Sequence, residues 1–267
     1  MKKLLLLLFI FLSFYGFAQS SLAKEQFNNS TRYLIDNPCD ATGLMWAKAA
    51  ASNDENYSNY LNNILSNCDR FKYDKAIQIL NEDSTSFKAQ EYLTDLLSKK
   101  PNDEELNYLL AKISIDRSGG NHIAAKYISN AIQINPSNIE YRWIRFRSTP
   151  VHNRIEESLQ LAKRDLEYII ENGKDNSKVN YYLGTVNNGL GDYWFYKPLS
   201  VDFSYNDSFD DQENEEKSNK IKALEYYKIA KLNFENSIEI EPRMKDKVQM
   251  KLLLNRIDEI NITLTQI

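Results

Sequence analysis

The feature that most constrains the fold of this chain is a short pattern that occurs three times. A small residue is followed by an apolar residue at offset 4, a small or apolar residue at offset 7 and a proline at offset 12. The first three positions share one face of an α-helix, and proline ends a helix because it has no N–H to donate. The three copies are Ala89-Leu93-Leu96-Pro101, Ala124-Ile128-Ala131-Pro136 and Ala230-Phe234-Ser237-Pro242, with a serine at offset 7 of the last.

The second copy lies in a predicted helical hairpin. Leu106 to Ile115 and Ile123 to Ile134 each show apolar residues at helical spacing, and the turn Ser118-Gly119-Gly120-Asn121 separates them. Two helices of this length leave apolar faces uncovered unless neighbouring hairpins pack against them. The sequence therefore predicts an all-α protein of stacked helical hairpins.

This pattern resembles one half of the tetratricopeptide repeat (TPR) motif, whose period is 34 residues. Pro101 and Pro136 are 136 − 101 = 35 residues apart. The segments Tyr182-Leu183-Gly184 and Gly191-Asp192-Tyr193 resemble the other half of the motif. The resemblance covers residues 70–242 and implies a right-handed α-solenoid, with a capping helix in residues 243–267.

The N-terminus has the three parts of a secretory signal peptide. Met1-Lys2-Lys3 is basic, Leu4 to Leu12 is apolar, and small and aromatic residues lead to Ala18. The apolar run is short for a membrane span, so we expect residues 1–18 to be removed and the mature chain to begin at Gln19. An uncleaved anchor is the alternative. Removal of the signal peptide predicts a periplasmic or secreted protein without stable membrane insertion. The low-glycine, Lys- and Asn-rich composition and the segment Phe17-Ala18-Gln19 resemble exported TPR proteins of Bacteroidetes.

Two cysteines bracket a predicted helix pair in the N-terminal region 19–69. The helices are expected at 44–51 and 57–65, between Cys39 and Cys68. The outer ends of an antiparallel helix pair lie side by side, so a disulfide is feasible in an oxidising compartment. Two free buried thiols are the alternative. Neither cysteine is in a CxxC motif, so the predicted role is structural.

An acidic insert is expected to interrupt the last repeat. Residues 193–216 contain a proline and many acidic residues, and they separate a helix at 177–190 from one at 217–241. A divalent cation needs several oxygen ligands, but this segment lacks the residue order and the glycine of an EF-hand. We therefore expect a solvated loop. A final helix is predicted from Met244 to Ile262.

Candidate partner-binding residues cluster in the helix predicted at 138–148, which precedes a second helix expected at 154–172. They are Tyr141, Arg142, Trp143 and Arg145. The TPR resemblance implies a concave groove lined by the first helix of each repeat, where arginines bind carboxylates and aromatic rings supply contact area. In the alternative, the rings pack between helices and the arginines pair with neighbouring acidic residues. Either Tyr141 or Arg142 fills the packing position of this helix.

Composition narrows the functional class. The 267 residues are 42% hydrophobic and 26% charged, which suits a folded protein with a substantial core. The net charge of −4 disfavours nucleic acid as a partner. Neither histidine lies in a catalytic motif, so nothing in the sequence indicates an enzyme or a cofactor.

The TPR resemblance implies a non-catalytic scaffold or adaptor that binds a protein or peptide segment in the concave groove. The alternative is a structural, self-associating repeat protein whose groove holds its own 193–216 loop.

Overall fold

The computed structural model describes residues 20–117, 119–173, 176–199 and 209–266. Within these ranges all regular secondary structure is helical, which confirms the all-α prediction. The chain divides into two compact units between Pro101 and Asn102. The predicted signal peptide, with its cleavage point after Ala18, lies outside the described residues.

The first unit contains four α-helices between residues 20 and 101, the part of it that the structure describes. They are α1 (20–34), α2 (Ala41–Asn53), α3 (Ser58–Glu82) and α4 (Phe87–Lys99). Asp40 caps α2, because its carboxylate accepts a hydrogen bond from the Gly43 backbone N–H at 2.8 Å. Small apolar residues such as Ala47, Ala50 and Ala76 are fully buried, so the helices approach closely.

The predicted Cys39–Cys68 disulfide is present, with Cα atoms 4.9 Å apart. It joins the residue before the α2 cap to the interior of α3. The prediction that a helix ends near Leu65 is wrong, because α3 runs without interruption from Ser58 to Glu82. No glycine or proline occurs within these 25 residues, so nothing ends the helix at the position where the sequence suggested a boundary between residues 69 and 70.

The second unit contains seven helices among its described residues. They are α5 (Glu104–Ile115), α6 (Asn121–Ile134), α7 (Ile139–Ser148), α8 (Glu156–Glu171), α9 (Ser177–Phe195), α10 (Phe209–Ile240) and α11 (Met250–Gln266). Each packs against the next in sequence. Short 3-10 turns occur at Val151–Asn153 and Pro242–Asp246. Side chains of Asp103, Asn138 and Asn176 cap α5, α7 and α9.

The residues of the repeated pattern lie in the cores of the two units. Those at offsets 0, 4 and 7 are all buried: Ala89, Leu93, Leu96, Ala124, Ile128, Ala131, Ala230, Phe234 and Ser237. Pro101 and Pro136 follow the ends of α4 and α6, and Pro242 opens the 3-10 turn after α10. Leu183 is buried too, and Gly184 admits the Phe234 ring, since a Cβ at residue 184 would lie 2.6 Å from Phe234 Cδ1.

Both predicted bounds of the loop at 193–216 are wrong. Helix α9 continues through Gly191 to Phe195, and α10 begins at Phe209. Gly191 does not stop the helix. Instead it lies against the Tyr227 ring, where a Cβ would be 2.5 Å from Cδ1. Residues 200–208 of the insert lie outside the described residues.

Two predicted helix starts also need correction. The predicted final helix does not begin at Met244, because the 3-10 turn Pro242–Asp246 occupies that position and α11 begins at Met250. Helix α8 begins at Glu156, not at Arg154. Arg154 has a left-handed backbone with φ of 51°, which is incompatible with continuing a right-handed helix.

Candidate functional site

The two predicted binding arginines on α7 both contact an acidic residue of α8. The Asp165 carboxylate accepts hydrogen bonds from Arg145 Nε at 2.8 Å and Arg145 Nη2 at 2.6 Å, and from Arg142 Nη1 at 3.3 Å. The Asp165 side chain is 0% exposed. Its negative charge is compensated by this two-pronged contact with Arg145, and the structure matches the alternative in which the arginines pair with a neighbouring acid.

Tyr141 fills the packing position of α7. It is buried, and its hydroxyl donates to Glu104 Oε1 on α5 at 2.7 Å. Burial, together with the hydrogen bond to Glu104, raises the pKa of the Tyr141 phenol. The hydrogen bond from Tyr141, followed by that from Asn135, lowers the pKa of Glu104. Tyr141 therefore links α7 to α5.

Trp143 is the predicted binding residue that borders open space. Its ring lies 5.4 Å from the Phe146 ring and 5.8 Å from the Tyr182 ring of α9, and Lys178 Nζ lies 5.2 Å from its centroid. Two open clefts of about 550 and 580 Å³ meet at Trp143 and Lys178. We call this surface, defined by Trp143, Lys178 and Tyr182, the Trp143 groove.

Helix α9 also lines a second cavity. Tyr181, Thr185 and Asn188 follow one another at helical spacing and form one wall. The cavity has a volume of about 310 Å³, and its other walls come from α10, from the start of α11 and from Arg154. We call it the basic cleft, because Arg154, Lys247 and Arg256 line it.

A buried carboxylate lies at one end of the basic cleft. Asp192 is only 4% exposed at its side chain, and it accepts a hydrogen bond from the Tyr227 hydroxyl at 2.8 Å. It also pairs with Arg154 Nη2 at 3.2 Å and with Arg256 Nη1. Burial lowers the pKa of the Arg256 guanidinium, and the nearby positive charge of Arg154 lowers it further. Four segments of the chain therefore meet at Asp192.

Sequence reasoning did not identify the basic cleft. Asp192 lies in a segment that resembles the TPR motif, and Arg154 and Arg256 are distant in sequence from it and from each other. No local motif connects the three residues. Among the residues of the cleft, Asp192 belongs to the TPR-like pattern of α9.

The described part of the chain offers no metal centre. No group of three or more His, Cys, Asp or Glu residues is placed there to hold an ion. Three acidic residues of the predicted insert lie on α10: Glu213, Glu215 and Glu216. No described helix combines the length and the hydropathy needed to cross a membrane.

Comparison of the chain with protein-family models and with curated proteins finds no match. The TPR resemblance therefore depends on the spacing of residues in this chain alone. It stays a prediction.

Proposed function

We propose that the protein is a non-catalytic scaffold or adaptor of the bacterial envelope, which binds a peptide or protein segment. In this proposal it is exported after removal of residues 1–18, its hairpins form a TPR-like right-handed solenoid, and the segment lies in the groove lined by the first helices of successive repeats. Helices α7 and α9 are two of these first helices. The Trp143 groove is the central part of the contact surface.

One observation carries the proposal. Trp143 and Tyr182 are only half-buried although they belong to a cluster of rings. Two clefts open on Trp143, and one of them is also lined by Tyr182. Partly exposed aromatic rings beside a cation are typical of protein-binding surfaces, because they bury a large area at small cost in side-chain entropy. The surrounding helices hold the rings in place, so binding requires little ordering of the receptor.

The arginines are not assigned the role of binding a carboxylate. Asp165 already occupies Arg145 with two hydrogen bonds, and a ligand would have to displace a buried negative charge. Lys178 takes the cationic role instead, since it is exposed and lies over the Trp143 ring. The expected ligand is an extended segment with an apolar or aromatic side chain next to an acidic one.

A displayed library of random peptides tests the proposal. Peptides selected on the chain beginning at Gln19 would be measured by calorimetry against the unchanged chain and against Lys178→Glu, Tyr182→Ala and Lys126→Glu. The first two variants are expected to weaken binding by about tenfold or more, which is about 1.4 kcal/mol. Lys126 is exposed on α6 and lines neither cleft, so its reversal is the matched control.

Two results would refute the proposal. In one, no peptide is enriched on the folded chain. In the other, the enriched peptides bind all three variants as tightly as they bind the unchanged chain.

A further inference from the structure

The basic cleft is a second site, separate in chemistry from the Trp143 groove. We propose that it binds a small organic carboxylate that carries a short apolar group. The inference follows from the charge of the cleft, from its apolar wall and from its volume, and it does not depend on segment binding in the Trp143 groove.

The cleft carries an excess of positive charge. Among the described lining residues, Arg154, Lys247 and Arg256 contribute +3 and the acidic Asp192 contributes −1, so the formal sum is 3 − 1 = +2. Lys247 has no ion pair with any described residue. Glu259 is close to Arg256 but does not line the cavity. An anion that enters the cleft therefore meets a net attraction that Asp192 does not cancel.

The arginines retain donors for such an anion. Asp192 contacts Nη2 of Arg154 and Nη1 of Arg256, which is one nitrogen of each guanidinium. Each guanidinium has five N–H donors, so most remain after the pairing with Asp192. Arg154 is also accessible, because its side chain is 55% exposed. A ligand carboxylate can accept from the remaining donors without displacing Asp192.

The apolar side of the cleft selects among anions. Phe234, Val248 and Leu253 line it, and Tyr181 lies beside Phe234 with ring centroids 6.0 Å apart. Inorganic phosphate offers nothing to cover these side chains. A carboxylate next to a branched aliphatic or small aromatic group fills both parts of a cavity of about 310 Å³. This volume is at the small end of ligand pockets, which favours a ligand of amino-acid size.

A matched ligand pair tests the proposal on the unchanged chain. N-acetyl-leucine and N-acetyl-leucinamide have the same size and apolar group, and only the first has a negative charge. The acid is expected to bind at least about tenfold more tightly than the amide. Its affinity is expected to fall as salt is added, because salt screens the interaction of the carboxylate with the exposed cations. Inorganic phosphate, the third probe, is expected to bind more weakly than the acid.

The source of the carboxylate is distinguished by a further probe. A tetrapeptide that ends in leucine with a free carboxylate has the same group at its end. If it binds more tightly than N-acetyl-leucine, the natural ligand is a polypeptide chain end. If it binds equally or more weakly, the natural ligand is a free small acid.

Variants locate the site. Arg154→Lys keeps the charge but removes the planar set of donors, and it is expected to weaken acid binding by about tenfold. Lys247→Gln removes an exposed charge and is expected to weaken binding by about threefold. Lys245→Gln is the matched control, since Lys245 belongs to the same 3-10 turn region and does not line the cleft.

Equal binding of acid and amide would overturn the proposal, as would the absence of acid binding at millimolar concentration. Full acid affinity in Arg154→Lys would do so as well. If Arg154→Lys does not fold, the comparison of acid with amide on the unchanged chain still decides the matter.

Discussion

The substitution Asp165→Asn removes one negative charge from the interior of the second unit while keeping the shape of the side chain. Asp165 is fully buried, and Arg142 and Arg145 have 19% and 15% of their side chains exposed. The variant therefore leaves two neighbouring cations without their shared anion. We expect a large loss of stability.

The size of the loss follows from the geometry. Removing one partner of a buried ion pair costs about 3–5 kcal/mol, because the remaining charge is left uncompensated. The arginines keep some contact with water, so the lower end applies and we expect about 3 kcal/mol. For a folding unit of this size, about 1 kcal/mol lowers the melting temperature by roughly 2–4 °C, which corresponds to a decrease of about 6–12 °C.

Urea unfolding followed by circular dichroism measures the loss, with Asp116→Asn as the control. Asp116 pairs with Arg147 at 3.3 Å, and both side chains are more than two-fifths exposed. That pair is expected to contribute less than about 1 kcal/mol. A double-mutant cycle with Arg145→Gln would give the coupling energy directly. If Asp165→Asn lowers stability no more than Asp116→Asn does, the assignment of Asp165 as the main anchor of the two arginines is incorrect.

Three further predictions concern the disulfide, the helix contact and export. Replacing Cys39 and Cys68 by serine is expected to lower unfolding free energy by about 3.5 kcal/mol for a closed loop of this length, measured in urea without reductant. Gly191→Ala is expected to lower the free energy of unfolding by about 1–2 kcal/mol, as measured in thermal melts. The clash of the new methyl group with the buried Tyr227 ring costs more free energy than alanine gains in helix propensity. N-terminal sequencing of the exported protein is expected to begin at Gln19.

Each of these has a control or a contrary outcome. Equal stability of the reduced and oxidised chains would contradict the disulfide prediction. Gly189→Ala is the control for Gly191→Ala, because its new methyl group would meet only the end of the Leu159 side chain at 3.0 Å. If both glycine variants change the melting temperature equally, the close contact at Gly191 does not limit packing. An intact Met1 on exported protein would reject the signal-peptide prediction.

Residue spacing predicted most helices, because each repeated position lies on one buried stripe. Ala89, Ala124 and Ala230 are fully buried, as their helical spacing requires. Pairing of Cys39 with Cys68 was also predictable, although Cys68 lies within α3 and not beyond the end of a helix. These features depend on local periodicity, which a single sequence contains.

Contacts between distant segments could not be read in the same way. Glycine often ends a helix, so the sequence around Gly191 favours a helix end there. In the structure Gly191 instead contacts Tyr227, which is distant in sequence. The sequence around Asp165 did not indicate that its side chain pairs with the arginines of α7. The basic cleft forms because Arg154 and Arg256 both pair with the Asp192 carboxylate. These residues are so far apart in sequence that helical periodicity does not relate them.

The junction at Asp192 has a consequence for biosynthesis. Arg256 belongs to α11, which is translated after α9 and after Arg154. Until α11 is synthesised, the carboxylate lacks one of its two cations and the basic cleft lacks one of its walls. A chain that stops before Arg256 would leave Asp192 paired with Arg154 alone and would lack the α11 side of the basic cleft. Synthesis of α11 and closure of this region are thereby coupled.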